Sequence, residues 1–167
     1  MIPTGQPERI AYDAANTDSR TMAGAATMSS GYAGDVSPKE AWDILAKEPD
    51  AVLVDCRTDA EWNFVGLPDL SPLSKQTVLI PWQLFPSMSA NPRFVEQLSA
   101  EGAKPDAPVL FLCRSGARSR SAAIAGTAAG FRKAYNVSDG FEGPHDGDKH
   151  RGKVAGWKAD GLPWRQG

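Results

Sequence analysis

Cysteine is scarce in this chain of 167 residues: Cys56 and Cys113 are the whole complement, and no C-x-x-C pair occurs. A disulfide-stapled secreted scaffold is therefore excluded, and a reducing cytoplasm is the expected compartment. Histidine is equally sparse. His145 and His150, with Asp146 and Asp148 between them, fit neither a same-face helical pair nor an EF-hand loop, so no metal centre is expected. No run approaches the roughly 18 uninterrupted apolar residues that a membrane helix needs. Charge of one sign is also missing, since 18 basic residues face 20 acidic ones for a net charge of -2. That balance gives no reason to expect nucleic acid or a membrane as a partner. A basic region followed by an apolar core is absent near the start, and Glu8, Asp13 and Asp18 break the acid-free character of a transit peptide. An unprocessed soluble protein is the expectation.

What is present suffices for one domain, because a chain of this length can bury roughly 70% of its unfolded surface. Residues 1–33 are rich in Ala, Gly, Ser, Thr and Met without a period, and are expected to be a flexible or loosely packed tail ahead of a domain at 34–167. From there short apolar runs alternate with helix-start signals, the pattern of an α/β domain on a mainly parallel sheet. Ser37-Pro38-Lys39-Glu40 and Thr58-Asp59-Ala60-Glu61 are capping boxes, the first opening a helix through Ile44 and the second a short helix containing Trp62. Asn91-Pro92 should cap a third helix through Phe94 and Leu98. Strands are expected at 51–56, 78–80, 108–112 and 135–138, with loop at 66–75. A small-residue helix from Ser119 to Ala129 should end at Gly130, and a short closing helix should span Gly156 to Gly161. The five tryptophans read as core and packing residues.

The chemistry lies in Cys113-Arg114-Ser115-Gly116-Ala117-Arg118-Ser119, between the most apolar strand and a helix start. The N-terminus of a helix has unpaired N–H groups and about half a positive charge, and so favours an anion just ahead of it. Cysteines at such positions beside cations are the reactive ones. Arg114 and Arg118 supply the cations, and Gly116 lets the backbone turn its amides inward as an anion cup. Cys56 has no such cup and stands after Asp55, so it reads as a buried structural thiol. Arg120, beyond the loop, reads as solvated surface charge.

The loop resembles the active loop of the rhodanese family, which follows a strand, precedes a helix and begins with the sulfur-carrying cysteine. Val52 to Trp62 resembles the family's strand-D-x-R-x-x-x-E-aromatic element, and Asn136 to Phe141 with Gly156 to Pro163 resembles its C-terminal V-x-x-G-G and W-x-x-x-G-x-P pattern. The resemblance implies a three-layer domain, a mainly parallel five-stranded sheet flanked by helices on both faces. It implies a sulfurtransferase of the thiosulfate type with Cys113 as the catalytic residue. Arg114, Ser115, Gly116, Ala117, Arg118 and Ser119 would bind the substrate, and Asp55 and Arg57 would brace the loop through ion pairs. A covalent persulfide on Cys113 would be the intermediate, with no separate cofactor. Partners would be a small anionic sulfur donor and a thiol or cyanide-like acceptor, or a protein in either role, acting on a monomer. The chain departs from the family at Phe64 to Asp69 and in the polar stretch Gly143 to Gly152, which could overhang the site.

Two other classes compete. A phosphatase or arsenate reductase of C-x5-R design would need arginine at position 119, where this chain has Ser119, and the shorter loop makes a smaller cup. A non-catalytic sulfur-relay or interaction module is the second alternative, and the retained Cys113, Arg114 and Arg118 argue against an inert scaffold.

Overall fold

Both capping boxes open helices. In the computed structural model, which describes residues 31–166, Ser37 accepts from Glu40 N at 3.1 Å while the Glu40 carboxylate accepts from Ser37 N at 2.7 Å. Helix α1 (Pro38–Lys47) follows from that closed first turn and buries Ala41, Ile44 and Leu45. Thr58 and Glu61 repeat the motif at the start of α2 (Asp59–Phe64). The expected tail falls outside the described residues up to position 30. Tyr32 and Ala33 belong to the domain instead: Tyr32 is 2% exposed, and Ala33 N donates to Ala134 O at 2.9 Å.

Strands β1 (Gly34–Val36), β2 (Val52–Asp55), β4 (Val78–Leu79), β7 (Val109–Leu112) and β8 (Ala134–Val137) form one sheet in the order β1-β8-β7-β2-β4. Every neighbouring pair is parallel. Such a sheet is buried on both faces, which is why β7 and β8 are buried at every position. Helices α3 (Phe94–Ala100) and α4 (Ala117–Ala128) cover one face through Phe94, Leu98, Ala122 and Ala123. The other face packs on α1, Phe141 and Trp157. The small residues of α4 bring it close to the sheet, since a Cβ on Gly126 would lie 3.3 Å from the Phe111 ring. A five-stranded parallel sheet flanked by helices on both faces is therefore the architecture, as the resemblance implies.

Four local expectations change. The three-residue β1 has no sequence signal of its own and exists through its pairing with β8. Helix α3 begins at Phe94, because Asn91 spends its side-chain oxygen on Arg93 N at 3.0 Å in a turn of its own. The stretch 66–75 holds β3 (Leu67–Pro68), paired antiparallel with β9 (Trp164–Arg165), and a 3-10 turn at Ser71–Leu73. Residues 156–161 are turns and not a helix, with Gly156 at φ 109 and Gly161 at φ 76 interrupting any helical run. The remaining pair, β5 (Gln83–Leu84) and β6 (Ser89–Ala90), is a small hairpin outside the sheet. No helix among the described residues is long and apolar enough to cross a membrane.

Candidate active site

Strand β7 ends at Leu112 and puts Cys113 at the C-terminal edge of the sheet, the edge where ligands of open parallel sheets are bound. The chain then turns through Arg114 and Ser115 to Gly116, the residue before α4, whose φ of 112 suits glycine. That turn aims the Gly116 N–H at the Cys113 sulfur, 3.1 Å away. The first bond within α4 runs from Arg120 N to Gly116 O, so the amides of Ala117, Arg118 and Ser119 precede the helical ladder. Cys113 is 1% exposed: one side of its sulfur packs into the core, and the other meets hydrogen-bonding groups.

Ser119 is the second of those groups. Its Oγ lies 3.2 Å from the Cys113 sulfur and 2.6 Å from Asn136 Oδ1. A hydroxyl has one hydrogen to give. When it donates to Asn136, the Ser119 oxygen can accept from a Cys113 thiol; when Cys113 is a thiolate, the same hydroxyl can turn and donate to it. Asn136 is itself held, donating from Nδ2 to Asp35 Oδ1 at 3.0 Å, and Asp35 Oδ1 also accepts from Tyr32 at 2.8 Å. Burial and the Asp35 contact push the Tyr32 hydroxyl up to about 12.

The two loop arginines part company. Arg114 is exposed and makes no side-chain hydrogen bond or ion pair among the described residues. Arg118 forms a two-pronged ion pair with Glu61, Nη1 to Oε1 at 2.7 Å and Nη2 to Oε2 at 2.9 Å. Arg118, expected to bind substrate, thus has both terminal nitrogens bonded to a carboxylate. Burial works against ionising Glu61, but the bonds and charge of Arg118, joined by Thr58, more than offset it and hold the carboxyl at about 2. The same bonds raise Arg118 further above its usual range.

Asp55 and Arg57 form a fully buried pair, Nη2 to Oδ2 at 2.6 Å and Nε to Oδ1 at 2.9 Å. Neither bonds to the Cys113 loop. Arg57 instead donates to Gly66 O at 2.7 Å and lies 4.4 Å over the Phe141 ring. Support for the loop is relayed, because Phe141 N donates to Cys113 O at 2.8 Å. Glu142 N and Gly143 N both reach Arg114 O, at 2.9 and 3.1 Å, so the polar stretch is rooted on the loop. Gly140 makes this approach possible: a Cβ there would stand 2.4 Å from Cys113 O.

The residues that sequence reasoning passed over are Glu61, Asn136 and Gly140. Glu61 carried a signal, since it stands in the D-x-R-x-x-x-E element, but its capping duty concealed its bond to Arg118. Cys56 donates its S–H to Leu112 O at 3.3 Å, and burial, with Cys113 and Asp55 nearby, pushes its thiol well up. Arg120 is exposed and passes 5.9 Å over the Tyr32 ring. His145 and His150 join no group of three or more metal-binding side chains among the described residues; Asp146 caps its own turn, accepting from Asp148 N and His150 N at 2.8 Å each.

The family model described as STR4 middle domain matches residues 33–167. The crystal structure of Rv0390 from M. tuberculosis is similar with a TM-score of 0.75 and 51% identity, over 81% of this chain and 99% of that one. An uncharacterised protein of Rickettsia conorii is 40% identical over 131 residues, 78% of this chain and 96% of its own. The thiosulfate sulfurtransferase GlpE of Actinobacillus pleuropneumoniae is 25% identical over 129 residues, 77% of this chain and 90% of its own.

Proposed function

The chain belongs to the STR4 middle-domain family, one of the rhodanese-like families, and we propose that it transfers sulfane sulfur through a persulfide on Cys113. One observation carries this reading: a cysteine sulfur at the end of a buried strand takes the Gly116 N–H at 3.1 Å, at the start of a twelve-residue helix. An N–H aimed at a sulfur favours negative charge on it. The similarity to a thiosulfate sulfurtransferase supports the same chemistry.

In the first transfer the Cys113 thiolate attacks the outer sulfur of a donor such as thiosulfate. The new S–S bond forms as the donor's S–S bond breaks, and sulfite leaves with the electron pair. In the second, an acceptor thiolate or cyanide attacks the outer sulfur of the persulfide and returns Cys113 as thiolate. The persulfide extends the side chain by one S–S bond, about 2 Å, which lifts the transferred atom from a buried position towards the exposed residues of the loop. Gly116 N holds the charge on the sulfur, and the amides of Ala117, Arg118 and Ser119 receive the outer atom. Arg114, exposed and without a side-chain partner among the described residues, attracts the anionic donor. Arg118 holds the cup in shape through Glu61. No separate cofactor enters these steps, and a small donor and acceptor suffice, although a protein could fill either role.

Hydrolysis of aryl phosphates is not expected. Position 119 carries a serine bonded to Asn136 and Cys113 in place of the arginine that would encircle a tetrahedral oxyanion. Mass spectrometry after incubation with thiosulfate tests the reading: the peptide containing Cys113 should gain about 32 Da, removable by dithiothreitol. A gain on Cys56 instead, or none, overturns it.

A further inference from the structure

Strands β2 and β7 are registered with Val52 beside Val109, Val54 beside Phe111 and Asp55 beside Leu112. Residues paired side by side in parallel strands project to the same face, and the face alternates along the strand. Val54, Val109 and Phe111 enter the core beneath α3 and α4, and so do Cys56 and Cys113, the residues that follow the last registered pair. The pairing continues across that step, since Cys56 N donates to Leu112 O at 2.8 Å. Adjacent strands lie about 4.8 Å apart, inside the roughly 4.4 to 6.8 Å between Cα atoms that a disulfide spans. Both thiols are free.

We propose that Cys56 is the resolving thiol of Cys113, closing an internal disulfide when a hydroperoxide oxidises Cys113. This rests on the reading of Cys113 as a reactive thiol. In the first step the Cys113 thiolate attacks a peroxide oxygen. An S–O bond forms, the O–O bond breaks, the sulfur loses two electrons, and hydroxide or alkoxide departs. In the second step the Cys56 sulfur attacks the sulfenic sulfur, the S–S bond forms as the S–O bond breaks, and the Cys56 proton leaves with the hydroxide as water. A dithiol reverses the disulfide by exchange, itself becoming oxidised as both cysteines return to thiols.

The placement explains a division of labour. At rest Cys56 is fully buried and donates its S–H to Leu112 O at 3.3 Å, so it does not compete for the sulfur donor. It stands next to the one atom whose oxidation it must intercept. Without it, the sulfenic acid is free to advance to sulfinic acid, which a dithiol does not restore.

The whole chain, reduced and then exposed to a few equivalents of hydrogen peroxide, is denatured in N-ethylmaleimide and weighed. Expected is a species about 2 Da lighter than the reduced chain, unalkylated, with the Cys56 and Cys113 peptides linked. Dithiothreitol should restore sulfur loading from thiosulfate. The Cys56→Ser and Cys56→Val variants should instead gain about 32 Da on Cys113 that dithiothreitol leaves in place, and should stay inactive. The proposal is overturned if the unaltered chain passes to the same sulfinic acid with Cys56 alkylated, or if either variant recovers as fully as the unaltered chain. Sulfur loading on Cys113 without any link under peroxide would sink the pairing and leave sulfur transfer standing. A Cys113 that takes up neither sulfur nor oxygen would sink both.

Discussion

Glu61 does two jobs with one carboxylate. Its Oε1 accepts from Thr58 N at 3.2 Å, closing the first turn of α2, and both oxygens hold Arg118. An ion pair this shielded is worth more than an exposed one, which contributes at most about 1 kcal/mol. Glu61→Gln keeps a side-chain oxygen for the cap and removes the charge that fixes Arg118. Its kcat/KM with thiosulfate should fall by roughly tenfold, about 1.4 kcal/mol, with Cys113 still able to load. Stability should also change with pH in a defined direction. The carboxyl titrates at about 2 in the folded chain against 4.5 ordinarily. Its contribution is therefore complete above the ordinary value and is lost as pH falls from 4.5 towards 2. Denaturant midpoints of the original chain and Glu61→Gln should converge over that interval; a gap that stays constant would show that the pair does not stabilise the fold.

At the scale of elements, the loop after β7 is clamped from two sides, by α2 through Glu61 and by the turn after β8. Asp139 and Gly140 both adopt positive φ there, 66 and 61, which brings the amides of Phe141, Glu142 and Gly143 onto the Cys113 and Arg114 carbonyls. Gly140→Ala would place a methyl against that backbone, 2.4 Å from Cys113 O. Overpacking and left-handed strain together should cost about 2 to 4 kcal/mol. Urea denaturation should show that loss, and sulfur loading should drop even in the folded fraction, whereas unchanged loading would mean the turn does not shape the cup. The capping boxes at Ser37 and Thr58, the apolar run into Cys113 and the small-residue face of α4 were all legible in the sequence because each is a local rule. Strand β1, β3 with β9, and the turns at 156–161 were not, because short strands exist only through partners distant in the chain. Asn91 misled for a related reason: an Asx turn and a helix cap use the same residue types.

Across the whole molecule, the sheet places the Cys113 loop and a buried ion pair at the same edge. Asp55 and Arg57 are both fully buried, and Arg57 Nη1 has no hydrogen-bond partner among the described residues. Burial disfavours the Arg57 charge, but Asp55 outweighs that cost and raises the guanidinium above its usual range. Removing one partner would leave the other uncompensated, so Asp55→Asn should destabilise the chain by about 3 to 5 kcal/mol. The effect should exceed that of Glu61→Gln in the same denaturant titration at neutral pH, and the reverse order would show that the half-buried pair at the loop is the stronger brace. The pair acts beyond its contacts: Arg57 ties Gly66 and Phe141 together, and Phe141 holds the first carbonyl of the loop.

The sequence by itself determined the layered α/β domain, the strand that ends at Cys113, the glycine that turns the chain and the helix that follows. These rest on periodicity, caps and backbone freedom, which act over a few residues. Tertiary structure decided which loop arginine pairs with a carboxylate, because Arg118 meets Glu61 only after two separate strand-to-helix units lie side by side. It also placed Cys56 next to Cys113, through a strand register that no local signal encodes. Charge and nucleophilicity can be read from residue types, whereas the partner that occupies a charge or a thiol is set by packing between segments far apart in the chain.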